Sequence, residues 1–462
     1  MTLTDGRRPG SRAVAADHVS LRRNNLSVVL RHVRDLGPRS RARIAADTGL
    51  NKATVSSLVA ELVERGLLRE GSADSTRALG RPGQLVELDG SGVCGVGAEI
   101  NVDYLAVAAL DLSGEPVFEK RVPVDVANLH PAMTLDRVAE LVQEAVLAVD
   151  ARGGRLVGVT LAVPGLVEGE TGELKLAPNL GWGELSVAEE MRSRLGEPAY
   201  SLHVDNEANL AALAAYAELR RGDAASAGSD GTPAFVAGEP AGAAAQASAA
   251  GQAGAAGGRT GADSRPVHDL VLLTGAVGVG AGVVSNGHLL RGGRGYSGEV
   301  GHMPVAPPGR DCGCGRTGCW ETVVGLTALL HKATDRDDPV RDPSLDVEQR
   351  LAGITRRAEA GDARTLSALK DVGTWLGIGG AILVNILNPD VLVLGGYFAV
   401  LGPWLKEPLE KAIRDRVIAP DGGGCRVVRS ELGFAAAVRG GAQISLDQVF
   451  VDPTLTAAGA AR

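Results

Sequence analysis

A histidine and three cysteines with the donor types of a zinc site lie close together in the chain, at His302, Cys312, Cys314 and Cys319. One imidazole and three thiolates complete a closed tetrahedral zinc site. Glycines between the cysteines let the backbone turn tightly enough for all three sulfurs to point inward. Three cysteines within eight residues are too close together for a disulfide framework. The pattern predicts a structural zinc ion, with free thiols as the alternative.

Two glutamates flank this cluster. Glu299 lies three residues before His302, and Glu321 lies two residues after Cys319. A loop held by metal would fix the positions of both carboxylates. The alternative for each glutamate is an ordinary charge at the surface.

The front of the chain has the pattern of a winged helix-turn-helix. Apolar residues recur every three or four positions in three segments between residues 24 and 66, and two short strands follow over Leu67–Leu88. Ser40 and Asn51 can cap the second and third helices. The third helix would present polar side chains to DNA bases, and an arginine of the wing tip would enter the minor groove. The predicted DNA-binding residues are Arg41, Asn51, Lys52, Thr54, Ser56, Ser57 and Arg81.

Charge is distributed unevenly along the chain. Residues 1–85 contain 15 of the 47 Lys and Arg but 8 of the 55 Asp and Glu, so this part carries +7 and the remainder −15. A basic front on an acidic body indicates a polyanionic partner for the front alone. We therefore expect duplex DNA as the partner, and a three-helix interaction domain with a basic linker is the alternative.

The body shows one structural pattern twice, as expected for an α/β protein. Three apolar strands, a helix and a further strand are predicted at Val93–Ile100, Tyr104–Asp111, Val117–Val124, Pro131–Arg152 and Leu156–Val163. A second copy is predicted from strands at Asp269–Thr274, Val279–Ser285 and Val391–Leu394, with helices from Glu321 to Leu387 and a closing helix. This order predicts an actin/ribonuclease-H-like fold with two lobes and a cleft between them.

The predicted domains are therefore a winged helix-turn-helix over residues 18–90 and a two-lobed domain over residues 91–450. Residues 223–266 are mostly Ala, Gly and Ser, which predicts a disordered insert. No apolar run is long enough to cross a membrane, and the first residues lack the apolar region of a signal peptide. We expect a cytoplasmic protein.

Several motifs together resemble the ROK family of repressors, open reading frames and kinases. The run from Gly301-His302 through Cys312-Gly-Cys314-Gly-Arg-Thr-Gly-Cys319-Trp-Glu321 resembles the family signature, as do Ala177-Pro178-Asn179-Leu180 and Val204-Asp205-Asn206-Glu207. The front resembles the regulator branch through Ser40-Arg41-Ala42-Arg43-Ile44-Ala45 and Ala53-Thr54-Val55-Ser56. The resemblance implies a sugar-kinase-like fold with a sugar pocket, lined here by Asn179, Asn206, Glu207, Glu299 and Glu321.

Three departures from the kinases of that family argue against catalysis. Their Asp-x-Gly-Gly-Thr phosphate loop is replaced by Glu99-Ile100-Asn101-Val102-Asp103, in which side chains replace glycines and two carboxylates would repel phosphate. Their Gly-Thr-Gly loop reads Ala276-Val277-Gly278. The catalytic aspartate that the resemblance implies is Glu207. We therefore expect no catalytic residue and no enzymatic activity.

The sequence thus predicts a sugar-responsive transcription regulator, most simply a repressor of carbohydrate-metabolism genes. Its expected partners are double-stranded operator DNA, a sugar effector and further copies of itself, as a homodimer or homotetramer. An active ATP-dependent sugar kinase with a DNA-binding appendage is the first alternative. A DNA-binding scaffold without a ligand is the second.

Overall fold

The structure is a computed structural model that describes residues 18–73, 84–169, 171–226, 267–306 and 310–456. The tip of the predicted wing, with Arg81, lies outside the described residues, and so does the predicted insert from residue 227 onward. The helix before the predicted insert extends to Ser226, past the predicted start of the insert at residue 223.

The N-terminal domain, which we call the head, has the predicted three helices and hairpin. Ser40 and Asn51 cap the second and third helices as predicted, each by accepting a bond from a backbone N–H three residues later. The strands form one antiparallel sheet in the order β1-β3-β2. The elements are α1 (His18–Leu36), β1 (Arg39–Ser40), α2 (Arg41–Thr48), α3 (Lys52–Glu64), β2 (Leu68–Ala73) and β3 (Gln84–Leu88).

The first lobe is a five-stranded sheet in the order β10-β7-β4-β5-β6. Strands β4, β7 and β10 run parallel, while β5 and β6 are antiparallel to their neighbours. Strand β10, which closes the sheet, was not predicted as a strand from the sequence. The elements are β4 (Val93–Ile100), β5 (Tyr104–Asp111), β6 (Pro116–Pro123), α4 (Pro131–Ala151), β7 (Arg155–Val163), β8 (Leu166–Val167), β9 (Leu174–Leu176), α5 (Val187–Arg194), β10 (Ser201–Asn206) and α6 (Glu207–Ser226).

The second lobe repeats this sheet, with the order β13-β12-β11-β14-β15. The repeat confirms the predicted two-lobed α/β architecture. The elements are β11 (Leu270–Gly275), β12 (Val279–Ser285), β13 (His288–Leu289), α7 (Glu321–Val324), α8 (Leu326–Ala333), α9 (Val347–Glu359), α10 (Ala363–Leu387), β14 (Val391–Gly396), α11 (Tyr397–Val400), α12 (Gly402–Arg414), β15 (Arg426–Arg429) and α13 (Ala436–Val451).

The last helix, α13, returns to the first lobe. It packs on β4, β5 and β7 and against α6, and α6 in turn packs on β11 and β12 of the second lobe. The two helices therefore lie between the sheets. They approach closely at Gly440, where a Cβ atom would lie 2.0 Å from the carbonyl oxygen of Leu210. Any larger residue at this position would push the helices apart.

The head and the body share one hydrophobic core. Leu446, Val449 and Phe450 of α13 are buried in the same cluster as Leu26 and Leu30 of α1. The predicted boundary near residue 90 therefore separates the two domains along the chain, but it does not separate their hydrophobic cores. Removing the head would expose the apolar end of α13 to water.

Polar contacts reinforce this junction. The side chains of Ser27 and Arg31 both donate to the carbonyl oxygen of Phe450, at 2.6 and 3.2 Å. Arg65, at the end of α3, donates to the carbonyl oxygen of Thr456 at 2.5 Å. These bonds satisfy carbonyl groups at and beyond the C-terminal end of α13, which have no partner within the helix. Among the described residues, no helix combines the length and apolar character needed to cross a membrane.

Candidate metal centre and ligand cleft

The four predicted metal ligands come together in one cluster. The donor atoms of His302, Cys312, Cys314 and Cys319 all lie within 4.8 Å of one another. The Sγ atoms of Cys314 and Cys319 are 3.7 Å apart, and Sγ of Cys312 lies 3.6 Å from Nδ1 of His302. Tetrahedral zinc with bonds of ~2.3 Å to sulfur would require sulfur atoms ~3.8 Å apart. The donor set and its spacing therefore fit a tetrahedral metal ion.

The backbone around the cluster explains how so short a segment can supply three sulfurs. His302 ends a turn of 3₁₀ helix over Val300–His302, and the cysteines lie on the following loop. Gly315 and Gly318 have φ angles of 81° and 75°, in the left-handed region that side chains other than glycine disfavour. The loop can therefore reverse direction between one cysteine and the next.

The cluster holds two carboxylates beside a cleft. Oε1 of Glu321 lies 2.8 Å from Sγ of Cys312, and Oε2 of Glu299 lies 3.9 Å from Nε2 of His302. Glu321 begins α7 two residues after the last cysteine, so its backbone is tied to the metal loop. A metal ion bound by the cluster would fix both carboxylates by fixing the residues that they contact.

All five residues predicted to bind sugar line one cleft between the lobes. Asn179 and Glu321 face the same point of the cleft. A Cβ atom at Gly278 would lie 2.5 Å from Nδ2 of Asn179 and 3.2 Å from Oε2 of Glu321. Glycine at this position therefore leaves room for the amide and the carboxylate to converge. The predicted residues that line the cleft are Asn179, Asn206, Glu207, Glu299 and Glu321.

Asn206 organises the cleft through its own hydrogen bonds. Its Oδ1 accepts from the N–H groups of Ala208 and Asn209 at 2.9 and 3.2 Å, and its Nδ2 donates to the carbonyl oxygen of Gly165 at 3.0 Å. These bonds start α6 and hold it to the turn that follows β7. The side chain of Asn206 therefore fixes the position of Glu207, the next residue.

Two carboxyl groups lie deep in the cleft. Burial raises the pKa of Glu207 well above its ordinary value, and the nearby charges of Glu299 and Glu99 raise it further. Burial also raises the pKa of Glu99 to about 7, although Asn101 and Tyr104 donate hydrogen bonds that favour its charged form. In both residues Oε2 is buried without a hydrogen-bond partner. Each therefore offers an oxygen that a ligand in the cleft could bond.

Glu99 is a cleft residue that sequence reasoning assigned only to the repulsion of phosphate. It is 2 % exposed and lies near the end of β4, a strand that is buried throughout. A glutamate in an otherwise apolar strand is costly to bury, and that was the available signal. The structure adds Tyr104 and Thr274 to the polar residues that line the cleft.

The family follows from comparison with known proteins. The profile of the ROK family matches residues 95–226 and 245–448, and that of the IclR helix-turn-helix domain matches residues 26–72. The chain belongs to the ROK family. The resemblance that the motifs indicated is thus confirmed.

Relatives within the ROK family include regulators and kinases. The chain is 28% identical to a putative xylose repressor of Caldicellulosiruptor sp. over 92% of this chain and 96% of the relative. It is 27% identical to a glucokinase of Halalkalibacterium halodurans over 75% of this chain and 93% of the kinase. A crystal structure of a ROK family transcriptional regulator, a homologue of the Escherichia coli MLC protein, shares the fold over 93% of this chain and 97% of that chain, with a TM-score of 0.67 and 22% identity.

In this ROK chain, the segment at the place of the kinase phosphate loop is closed by its own hydrogen bonds. Oδ1 of Asn101 accepts from the N–H of Val102 at 2.8 Å, and the N–H of Asn101 donates to the carbonyl oxygen of Tyr104 at 2.9 Å. Both amides are thus bonded within the segment. A phosphate bound here would have to break these bonds.

The prediction that two carboxylates face this position holds for one of them. Glu99 lines the cleft, whereas Asp103 does not. Asp103 forms an ion pair with Arg350 of α9 at 2.8 Å, and both side chains are almost fully buried. The predicted repulsion of phosphate by Asp103 is therefore wrong, because its charge is neutralised by an arginine distant in sequence. Val277, which stands in place of the threonine of the second loop, does not line the cleft.

Five of the predicted DNA-binding residues lie in the N-terminal half of α3 or cap it, and Arg41 begins α2. Lys52, Ser56 and Ser57 are exposed and Thr54 is partly exposed. Asn51 uses its Oδ1 to cap α3, at 2.8 Å from the N–H of Thr54. The hydroxyl of Ser56 donates to the carbonyl oxygen of Lys52, and Arg22 donates to the hydroxyl of Ser57. Arg41 forms an ion pair with Glu70 of β2. Arg81 lies outside the described residues.

Proposed function

We propose that this ROK protein is a sugar-responsive, DNA-binding transcription repressor. The observation that carries the proposal is the course of α13. Ala436 and Ala437, at its start, line the cleft, and Leu446, Val449 and Phe450, near its end, lie in the core of the head. A helix of 16 residues spans about 24 Å, so one rigid element connects the two sites. The similarity to a repressor over nearly the full length of both chains supports the same conclusion.

The sugar binds in the cleft between the lobes in this proposal. Asn179 and Glu321 converge on one side, Glu299 lies beside the metal cluster, and Glu207 offers an unpartnered oxygen from the start of α6. Such a set of acceptors and one amide suits a ring of hydroxyl groups. Asn206 acts by positioning Glu207. The ligands of the structural zinc are His302, Cys312, Cys314 and Cys319, a full tetrahedral set that leaves no open position for chemistry.

The head binds operator DNA through α3 and the wing. Lys52 and Thr54, on the first turn of α3, contact base edges in the major groove, with Asn51, Ser56 and Ser57 beside them. Arg41 contacts the DNA backbone, and Arg81 of the wing tip enters the minor groove. A homodimer or homotetramer places two heads on an inverted repeat.

Sugar binding reaches the DNA through helices α6 and α13. A sugar that bonds residues of both lobes favours the closed cleft, and α6 packs on the second lobe and on α13. Closure therefore changes the position of α13, and with it the position of the head. The sugar can shift the equilibrium only by the difference in its affinity for the two states.

The protein is not a kinase in this proposal. The amides of Asn101 and Val102 are bonded internally, and burial raises the pKa of Glu207 well above its ordinary value, which disfavours its charged form. A carboxyl group accepts a proton from a sugar hydroxyl only in its charged form, so this burial opposes general-base catalysis by Glu207. The similarity to a glucokinase covers the body alone, and it accounts for the shared fold without requiring shared chemistry.

The test selects DNA from random duplexes with purified protein and measures the binding of a selected duplex by mobility shift. We expect tight binding that weakens with salt, and release by at least one common sugar. Lys52→Ala and Thr54→Ala should each relax base preference by about 1–3 kcal/mol per lost contact. Lys332→Ala, a lysine of α8 remote from the head, is the matched control. Selection of no preferred sequence, or full preference in both head variants, would contradict the proposal.

A further inference from the structure

The ionisable groups that line the cleft have one dominant sign. The described residues that line it include four glutamates and no lysine or arginine. Its one histidine, His302, belongs to the metal cluster. The glutamates are Glu99, Glu207, Glu299 and Glu321, and they come from both lobes. A ligand therefore meets carboxyl groups from several directions.

Two arginines close to cleft-lining Tyr104 or to its sequence neighbour Asp103 are already engaged elsewhere. Arg121 lies behind Tyr104, with its guanidinium 5.7 Å from the ring centroid, and it pairs with Asp346 and Glu348 at 3.2 and 2.9 Å. Arg350 already forms a buried ion pair with Asp103. Neither arginine lines the cleft. Recruiting either one to a ligand would leave at least one carboxylate without its partner.

Backbone groups offer an anion little compensation. The N-terminal amides of α6, at Ala208 and Asn209, donate to Oδ1 of Asn206. The loop that could have held phosphate is closed by Asn101. The N-terminus of α13 reaches the cleft at Ala436, and a helix end is equivalent to roughly half a positive charge. A phosphate ester carries about two negative charges at neutral pH, which half a charge does not balance.

We infer that the effector is a sugar without a phosphate group, because the described residues of the cleft supply acceptors for hydroxyl groups but no lysine or arginine for a phosphate. This inference rests on the proposed function and names the ligand class of the same cleft. Sites that bind phosphate use arginine, lysine, a bound cation or free backbone amides. Among the described residues, neither arginine nor lysine lines the cleft. A neutral sugar needs no such compensation.

Titration calorimetry of the full-length zinc-loaded protein with three matched pairs tests the inference. The pairs are xylose and xylose 5-phosphate, glucose and glucose 6-phosphate, and N-acetylglucosamine and its 6-phosphate. We expect at least one free sugar to bind and its phosphate ester to bind at least tenfold more weakly. A phosphate ester that binds as tightly as its parent sugar, or more tightly, would overturn the inference and leave the proposed function intact. If none of the six compounds binds the protein, and none releases it from DNA, the proposed function fails together with the inference.

A charge variant tests the physical reason. At pH 8, Glu99→Gln should reduce the preference for the free sugar over its phosphate by several fold, since one negative charge leaves the cleft. Glu119→Gln is the matched control, because Glu119 lies on β6, pairs with Arg439 of α13 and does not line the cleft. An unchanged preference in Glu99→Gln, with the variant folded by circular dichroism, would contradict the electrostatic argument. An equal change in the control would contradict it as well.

Discussion

Arg34 of the head donates a hydrogen bond to Asp447 of α13 at 3.1 Å. The same guanidinium lies 4.7 Å from the centroid of the Phe450 ring. One side chain of α1 thus contacts two residues that lie about one turn apart on α13, one acidic and one aromatic. Because α13 begins at the cleft, the contact lies on the physical route between sugar and DNA.

Arg34→Ala should weaken the sugar response more than it weakens either binding step. The variant loses a partly exposed ion pair and a cation–π contact, each worth about 1 kcal/mol or less, so the head should remain docked. We expect the affinities of the variant for sugar and for DNA to stay within about threefold of the wild type. The change in DNA affinity that sugar causes, a coupling free energy of typically ~1–3 kcal/mol, should be smaller in the variant. Fluorescence anisotropy of a labelled operator, titrated with sugar, measures all three.

The control for this prediction is Arg414→Ala, which removes an exposed arginine of α12 that pairs with Glu410. Its sugar response should equal that of the wild type. A full response in Arg34→Ala would mean that the contact with α13 does not transmit the signal.

One zinc ion should be bound per chain, and Cys314→Ser should lose it. Loss of the ion frees the loop that holds Glu299 and Glu321, so sugar affinity should fall by about tenfold or more. Elemental analysis and sugar titration measure the two effects. Cys425→Ser provides the control, since Cys425 is a partly buried thiol outside the cluster. A metal-free wild type, or normal sugar affinity in Cys314→Ser, would refute the prediction.

No sugar should be phosphorylated by the protein with ATP. The loop closed by Asn101 removes the phosphate site, and burial raises the pKa of Glu207, which opposes its action as a base. Losing one stabilising donor alone costs roughly 10²–10³ in rate. A coupled assay with hexoses, pentoses and N-acetylated sugars should show no turnover above a blank without protein. ATP-dependent turnover that disappears in Glu207→Gln would establish the kinase alternative.

The contribution of Glu99 to the free energy of unfolding should decrease as the pH rises from about 4.5 to 7. The pKa of Glu99 is raised from 4.5 to about 7 by burial, so the folded chain binds more protons than the unfolded chain between these values. The free energy of unfolding then decreases with pH, by up to ~3 kcal/mol, and levels off above pH 7. Glu99→Gln removes this penalty, because glutamine carries no charge to bury.

Thermal unfolding at pH 5 and pH 8 measures the effect as a difference between variant and wild type. Glu99→Gln should be more stable than the wild type at pH 8, and this advantage should shrink at pH 5. Subtracting the wild type removes the pH dependence of metal binding, which both proteins share. If Glu99→Gln loses as much stability between pH 5 and pH 8 as the wild type does, Glu99 is not buried as described.

Local patterns of residue type were enough to predict much of this protein. The zinc ligands lie in one short segment, and the glutamates beside them are fixed by that proximity in sequence. The three helices of the head and their capping residues follow from the spacing of apolar residues and from Ser40 and Asn51. The repeated order of strands predicted two lobes, and motifs that resemble the ROK family placed five residues in one cleft.

Tertiary structure alone decided how these parts are joined. An apolar stripe on a helix indicates that one face is covered, but it does not indicate which surface covers it. The end of α13 is covered by the head, and only the fold brings Phe450 to Ser27 or Arg350 to Asp103. Those contacts depend on residues hundreds of positions apart. For this reason the sequence predicted a sensor and a DNA-binding domain, and the folded chain decided that one helix connects them.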